Sequence, residues 1–468
     1  MRRATLRRAA ALWLLLFAAY AATIGLDTFG DVNYGGDEPH FLLTAKSIVE
    51  DGNPDLLDEY RSRDYEEIYP FELQARGAET RGLVNEPHGV GFPLLIAPAY
   101  ALGGPVAVEV FLAAIAALAM VLAYALALRV APDPWAIGAT MLAGLSPPML
   151  GWGSAVYPAL AAGAALAGAL LLTLKLTERR SRPMVFGCFF LIGTLPWLAT
   201  PFVLPAIVLA ALTARLLWSQ HRRMLAIGGL EVLGFSLAFY AGLNNGLFGG
   251  LTPYAAQLPG ESPTGADTVG EYVERAYRFV ALWIDREYGL LRWAPLFLLA
   301  WVGLWFVWRE WRGGLARVIP ELQAEEFAAA LCASVIGAQL LVATFLAPTM
   351  FGFWFPGRHL MPALPLMVPL VALGVRHAPR LGAVLGGIGL IASVWLYVDL
   401  RWGDGNLATD RPNAPWGPLE AVWPDYADGG VLPDVIAALV AAAIAAAFFV
   451  DARVWRRLLR RERSATPA

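Results

Sequence analysis

The chain of 468 residues is 58% hydrophobic and 16% charged, with a mean hydropathy of +0.54. That is too apolar and too weakly charged for a soluble globular protein of this length, and a net charge of -3 with no basic run interleaved with aromatics excludes a nucleic-acid surface. Its two cysteines, Cys188 and Cys332, lie inside apolar stretches, so there is no disulfide framework and no thiolate metal site; both read as packing residues.

In chain order, Arg2, Arg3, Arg7 and Arg8 precede ALWLLLFAAYAATIGL, which reads as an uncleaved first membrane span. The stretch YGGDEPHFLLTAKSIVEDG follows. Pro39 fits only the first turn of a helix, which places Asp37 and Glu38 at its N-terminal end and makes Gly52 its closing residue. Phe41, Leu42, Ala45, Ile48 and Val49 form an apolar stripe beside Lys46, Glu50 and Asp51, which predicts an amphipathic helix packed on the membrane. Free N–H groups and the helix dipole favour negative charge there, so both acids are expected to be ionised at neutral pH. A charged stretch from Asp55 to Arg81 and the motif Asn85-Glu86-Pro87-His88-Gly89 complete a long loop, residues 27–93. The apolar run Gly89 to Gly104 reads as interfacial or re-entrant.

Segments of spanning length recur at 9–26, 105–128, 134–151, 154–175, 184–199, 201–217, 224–245, 290–308, 327–347, 359–376, 381–400 and 432–450. They predict an all-α, single-domain membrane protein, residues 1–468, with about twelve crossings. Prolines at 147, 148, 196, 201, 205, 362, 365 and 369 predict kinked or broken spans. Basic clusters at the N-terminus, Arg129, Arg179 to Arg182, Arg222 to Arg223, Arg309 to Arg317, Arg376 to Arg380 and Arg453 to Arg457 then fall on one side, the cytoplasmic side of a bacterial inner membrane. Loop 27–93 lies outside, with three further outer segments. Residues 246–290 contain an expected interfacial helix, EYVERAYRFVALWIDREYG, with Tyr272, Val273, Ala276, Tyr277, Val280 and Trp283 on one face. Residues 351–362 are short, and 401–430, rich in Trp, Pro, Gly and Asp, read as an ordered cap.

The chemistry concentrates in those outer segments. In FGFWFPGRHLMP an arginine, Arg358, sits at the outer end of a span, where a guanidinium can hold a lipid-linked phosphate through two hydrogen bonds. Arg286 and Arg292, in IDREYGLLRWAP, offer the same chemistry. Asp37, Glu86 and His88, joined by Glu38 and His40, supply oxygen and nitrogen donors suited to a divalent metal ion. Trp354 and Trp402 are aromatics on which a sugar could stack.

An acidic pair after the first span, a helix ending near a glycine and a Glu-Pro motif about fifty residues on resemble the first outer loop of the GT-C membrane glycosyltransferases. The resemblance is to the lipid A aminoarabinose transferases and protein O-mannosyltransferases in particular. Gly357-Arg358-His359 followed by LMPALPLMVP is similar to a stretch found in many GT-C-like proteins. The resemblance implies transfer of a sugar from a polyprenyl-phosphate donor to a hydroxyl of a glycan, lipid or protein acceptor, with inversion, on the outer face. It implies Asp37 as general base with Glu38 in support. Arg358, His359, His88 and Arg292 would meet the donor phosphate, and Glu86, His40, Tyr34 and Trp354 the sugar or acceptor. The alternative is a transporter or lipid flippase, which requires ionisable groups in mid-span. The chain has few, Glu109 and Glu231 chief among them, and its acids gather in loops instead.

Overall fold

The computed structural model describes residues 3–426 apart from 29, 31, 81, 258–263, 314–319, 351–356, 404 and 408–422, with scattered positions between 431 and 446. A first membrane helix, α1 (Arg3–Ala21), leads to α2 (Glu38–Glu50) and the short α3 (Leu57–Ser62). A two-residue antiparallel pair, β1 (Glu79–Thr80) and β2 (Leu83–Val84), precedes α4 (Gly91–Ala127). Gly103 and Gly104 have non-helical dihedrals and kink α4 between the run read as interfacial or re-entrant and the span that follows it. The segment expected as one span at 134–151 is two pieces, α5 (Trp135–Gly144) and α6 (Pro147–Trp152). Pro147 cannot continue the helix, and Ser146 before it is extended, with φ -72 and ψ 154.

Four helices then follow in close succession: α7 (Ala159–Glu178), α8 (Arg182–Leu198), α9 (Val203–Ser219) and α10 (Arg223–Phe248). The expected interfacial helix at 270–289 is shorter and divided, α11 (Val269–Glu274) and α12 (Arg278–Ile284) with a 3-10 turn between them. Its burial is also turned: Arg275 and Arg278 are inside while Val273 and Ala276 are outside. Both guanidiniums donate to main-chain oxygens of 345–348, where a π-turn ends the longer helix and leaves carbonyls without helical partners. The remainder is α13 (Leu290–Trp293), α14 (Leu298–Gly313), α15 (Pro320–Leu341), α16 (Leu364–His377) and α17 (Pro379–Trp402).

Among the described residues, eight helices are long and apolar enough to cross a membrane, and three shorter apolar helices accompany them. The segment at 432–450 lies outside the described residues as a continuous element. The chain is a polytopic membrane protein. Ion pairs Arg8–Asp133, at 2.5 Å, and Arg129–Glu178 bring the start of α1 to the turn after α4 and to the end of α7, so the basic clusters there share one end of the bundle. Loops 35–40, 85–89, 153–158 and 357–359 gather at another place, described below. Of the expected cap at 401–430, Leu407 N–H donates to Asp27 O and Tyr426 N–H to Asp285, so its described parts are tied down.

The bundle is organised on α16, whose residues Leu364 to Val375 are all buried. It crosses α14 at glycines: a Cβ on Gly374 would lie 2.2 Å from Leu299 O, and one on Gly303 2.1 Å from Leu370 O. Without a hydrophobic drive between helices in lipid, such close backbone approach supplies the packing. Gly374→Ala and Gly303→Ala should each destabilise the fold by roughly 1–3 kcal/mol by overpacking. Gly387→Ala, which meets nothing within 4 Å, serves as the control. Thermal unfolding in detergent would show lowered midpoints for the first two and none for the third; equal midpoints would mean the crossing is not tight.

Candidate active site

The helix expected after Gly36 begins where the sequence places it. Asp37 is the residue before α2, its side chain making no cap, and Gly52, at φ +72, closes the helix with its N–H 3.1 Å from Ser47 O. The expected amphipathic helix is more enclosed by the protein than its periodicity implies. Every residue from Glu38 to Ser47 is buried, because α4 covers one side of α2 and loop 56–68 the other. Lys46, placed on the polar face by periodicity, is inside with its Nζ 2.8 Å from Glu67.

Because Asp37 does not cap its helix, its carboxylate is free to face two guanidiniums and an imidazole. Oδ1 is 3.7 Å from Arg76 Nε and 3.6 Å from His88 Nε2, and Oδ2 is 3.8 Å from Arg358 Nη2. All three contacts are longer than hydrogen bonds. Burial alone would raise the Asp37 pKa, but His88, Arg358, Arg76 and His40 outweigh it and hold the group below the ordinary aspartate range. The His88 pKa is lowered as well, here by burial, which outweighs Asp37 and Glu86 and leaves a neutral imidazole at pH 7. Loop 27–93 and residue 358, far apart in sequence, are therefore brought together at Asp37.

Glu38 is a different group from its neighbour. It is buried, Oε2 accepts from Gly35 N–H at 3.0 Å, and Oε1 accepts from Val156 N–H at 2.8 Å. Burial pushes its pKa up to about 8, with nearby Glu109 adding to the rise and the two N–H donors opposing it. The expectation that both acids are ionised therefore fails for Glu38, since the cost of burying the charge exceeds what two donors return. The next residue after Val156 closes the arrangement: Asp37 N–H donates to Tyr157 Oη at 3.0 Å. Segment 153–158 is thus stitched to the start of α2 twice.

Glu86 and His40 were expected to meet sugar or metal, and the structure gives them another task. Glu86 Oε1 accepts from Tyr60 Oη–H at 2.5 Å and from Arg76 N–H at 3.3 Å. His40 Nδ1 lies 2.9 Å from Tyr60 Oη and 3.3 Å from the same carboxylate oxygen. Burial would raise the Glu86 pKa, but the hydrogen bond and charge of His40 bring it below the ordinary glutamate value. This buried group holds the main chain of Arg76 in place. Among the described residues no three His, Cys, Asp or Glu side chains are close enough to hold a metal ion, so Asp37, Glu86 and His88 do not form the expected ligand set.

Other expected contacts are also redirected. Tyr34 Oη–H donates to Glu109 in α4 at 3.1 Å. His359 turns away from Arg358: its Nε2 is 2.7 Å from Thr349 O and its own carbonyl accepts from Gln339 Nε2 at 2.9 Å. The Arg292 guanidinium donates to Arg286 O and stacks 5.4 Å from the Trp293 ring. Trp354 lies outside the described residues. Conversely, sequence reading overlooked Arg76, Tyr60 and Tyr157. Nothing in the charged stretch 55–81 distinguishes Arg76 from its neighbours; only its tether to Glu86 does.

The arrangement of spans is similar to one already seen in a solved structure. The solved structure that carries this statement is ArnT from Cupriavidus metallidurans in the apo state, which superposes with a TM-score of 0.51 at 14% identity. The match covers 86% of this chain and 67% of that one. The same protein bound to undecaprenyl phosphate gives a TM-score of 0.47 at 14% identity, covering 83% and 64% of the two chains. No family model and no curated protein matches the sequence.

The unequal acids give a stability test. A glutamate whose folded pKa, about 8, lies above its unfolded value of 4.5 adds stability that is complete below 4.5 and lost as pH rises through 8. Denaturation of the wild type between those limits should therefore show a steeper loss with rising pH than Glu38→Gln, which cannot ionise. Parallel profiles would mean that Glu38 is not buried in neutral form.

Proposed function

We propose that the protein is a glycosyltransferase of the inner membrane of a bacterium, moving a sugar from a polyprenyl-phosphate carrier to an acceptor hydroxyl on the outer face. The observation that carries this reading is the convergence of Arg76, His88 and Arg358 on Asp37 at 3.6–3.8 Å. An acid and two guanidiniums drawn together, but not hydrogen-bonded, leave guanidinium donors available for an incoming phosphate. Support for a lipid-linked donor also comes from an apolar cavity of about 490 Å³ among the spanning helices, lined by Leu204, Phe279, Trp301, Leu341 and Met367. It has the composition that an isoprenoid chain requires.

In the proposed reaction the phosphate leaves the anomeric carbon as that carbon develops oxocarbenium character, and the acceptor oxygen enters from the opposite side. Arg358 and Arg76 stabilise the charge that grows on the departing phosphate. Asp37 orients the acceptor hydroxyl and takes its proton. Its depressed pKa makes it a weak base at rest, which suits a late proton transfer, when the hydroxyl has already become acidic by bonding to the anomeric carbon. Phosphate binding draws the two arginines off Asp37 and raises its pKa toward that of a working base. Neutral His88 is a hydrogen-bond partner for donor or acceptor in this scheme. His359, Arg292, Glu86, His40 and Tyr34 act through the protein, each holding a segment of the site.

Asp37→Asn should abolish transfer from a polyprenyl-phosphate sugar in reconstituted membranes, with expression and thermal stability retained. Arg76→Gln and Arg358→Gln should each lower turnover by about 10²–10³, the range for loss of one group that stabilises developing anionic charge. Full activity of Asp37→Asn removes it from the mechanism. Lipid movement across liposomes without any sugar transfer favours the flippase alternative.

A further inference from the structure

Away from Asp37, the least explained polar group among the described residues is Glu59 in α3. Its side chain is 3% exposed, and neither carboxylate oxygen has a hydrogen-bond partner. A buried carboxyl group without a donor costs on the order of 1–3 kcal/mol or more if it stays charged, so a native protein rarely leaves one without cause. The groups beside it are oxygens. The Ser47 hydroxyl and the Asp58 side chain are its polar neighbours, too poorly placed for a good hydrogen bond, and burial, with Asp58 adding and Ser47 opposing, pushes the Glu59 pKa up to about 7. Ser47 Oγ in turn is 2.8 Å from Asn53 O and 3.0 Å from Asp55 O. A hydroxyl carries one proton, so two main-chain carbonyls converge on a point where only one can be served at a time.

The oxygens therefore outnumber the donors. The turn that carries the carbonyls is rigid: Asp55 Oδ1 accepts from Val84 N–H at 2.7 Å and from Leu57 N–H at 3.3 Å, and Asp55 N–H donates to Asn53 Oδ1 at 2.8 Å. Asn53 and Asp58 are exposed, giving a path from solvent. The next residue, Tyr60, is the one that binds Glu86 and approaches His40.

We propose that Glu59, the carbonyl oxygens of Asn53 and Asp55 and the hydroxyl of Ser47 hold a hard divalent cation of the calcium type, with water completing the shell on the Asn53 and Asp58 side. Carboxylate, carbonyl and hydroxyl ligands without nitrogen or sulfur are the donor set for calcium, and mixed main-chain ligands suit its flexible coordination more than the strict octahedron of magnesium. This site is separate from the Asp37, Glu86 and His88 set and does not depend on the proposed reaction. The bound ion would join the end of α2, the 53–55 turn and α3, and so steady Tyr60 and the tether of Arg76.

The test uses the full chain in detergent, stripped with chelator and titrated with terbium, whose emission the nearby Tyr60 and Tyr65 rings would sensitise. Wild type should show a several-fold rise in emission that calcium reverses and equal magnesium does not. Glu59→Gln should lose the signal, whereas Asp37→Asn should keep it. In the absence of terbium, calcium should raise the unfolding midpoint of the stripped wild type and slow proteolysis within 51–63. A wild type with neither emission nor a calcium-dependent midpoint overturns the proposal and makes Glu59 a buried neutral acid, whatever the variant does. A signal that survives in Glu59→Gln but vanishes in Asp37→Asn also overturns it, by placing the ion at Asp37.

Discussion

The structure turns on the burial of Glu38 beside an acid that is kept charged. Its carboxyl bridges Gly35 N–H and Val156 N–H, and Tyr157, next along the chain, receives Asp37 N–H. The result is a closed ring running through two segments more than a hundred residues apart. Within that ring the main chain of Asp37 cannot turn, and its side chain is directed at His88, Arg76 and Arg358. A carboxyl in low dielectric is costly when charged, so the ring is built on a group that favours its neutral form. Asp37 instead keeps its charge because cations surround it. One dipeptide thus supplies a structural pin and a charged carboxylate, divided by environment alone.

The rest of the bundle serves to hold those environments. α4 covers α2 and brings Glu109 to Tyr34; α16, crossing α14 at Gly303 and Gly374, is preceded by the turn that carries Arg358. The site is therefore assembled from segments that membrane helices deliver to one place, with few direct hydrogen bonds among the reactive groups themselves. Rigidity comes from behind: Glu86 with Tyr60 and His40 fixes Arg76, and Thr349 with Gln339 fixes His359 beside Arg358. Side chains that the resemblance assigns to ligand binding, Glu86, His40 and His359, hydrogen-bond within the protein.

How much of this could be read beforehand follows from range. The start of α2 at Pro39, its closure at Gly52 and the break before Pro147 are local consequences of ring closure, missing N–H groups and positive φ, and the sequence displays them. Membrane spans are likewise legible because no alternative satisfies the backbone in lipid. The burial of Lys46, the inward Arg275 and Arg278, and the pin role of Glu38 are not, because each depends on a partner distant in sequence: Glu67, the carbonyls of 345–348, and Val156. Periodicity reports which residues share a face of a helix, not what covers it. The pairing of residues 37 and 358 was legible only through family resemblance, and Arg76 was not legible at all.

The loose contacts at Asp37 bear on how such a site can work. Had Arg76 or Arg358 formed a bidentate hydrogen-bonded pair with Asp37, separating them to admit a phosphate would cost several kcal/mol per buried pair. At 3.6–3.8 Å the attraction still holds the acid ionised, while each guanidinium keeps donors available for another anion. In the proposed reaction an incoming phosphate competes with Asp37 for the guanidiniums, and binding one releases the other. In the proposed reaction that release couples two events: the cations move to the leaving group as the carboxylate becomes basic enough to take a proton. A tighter resting site would be more stable and would lose this coupling. The split of the dipeptide is consistent with that requirement, because strain-free rigidity comes from Glu38 and leaves Asp37 unbonded.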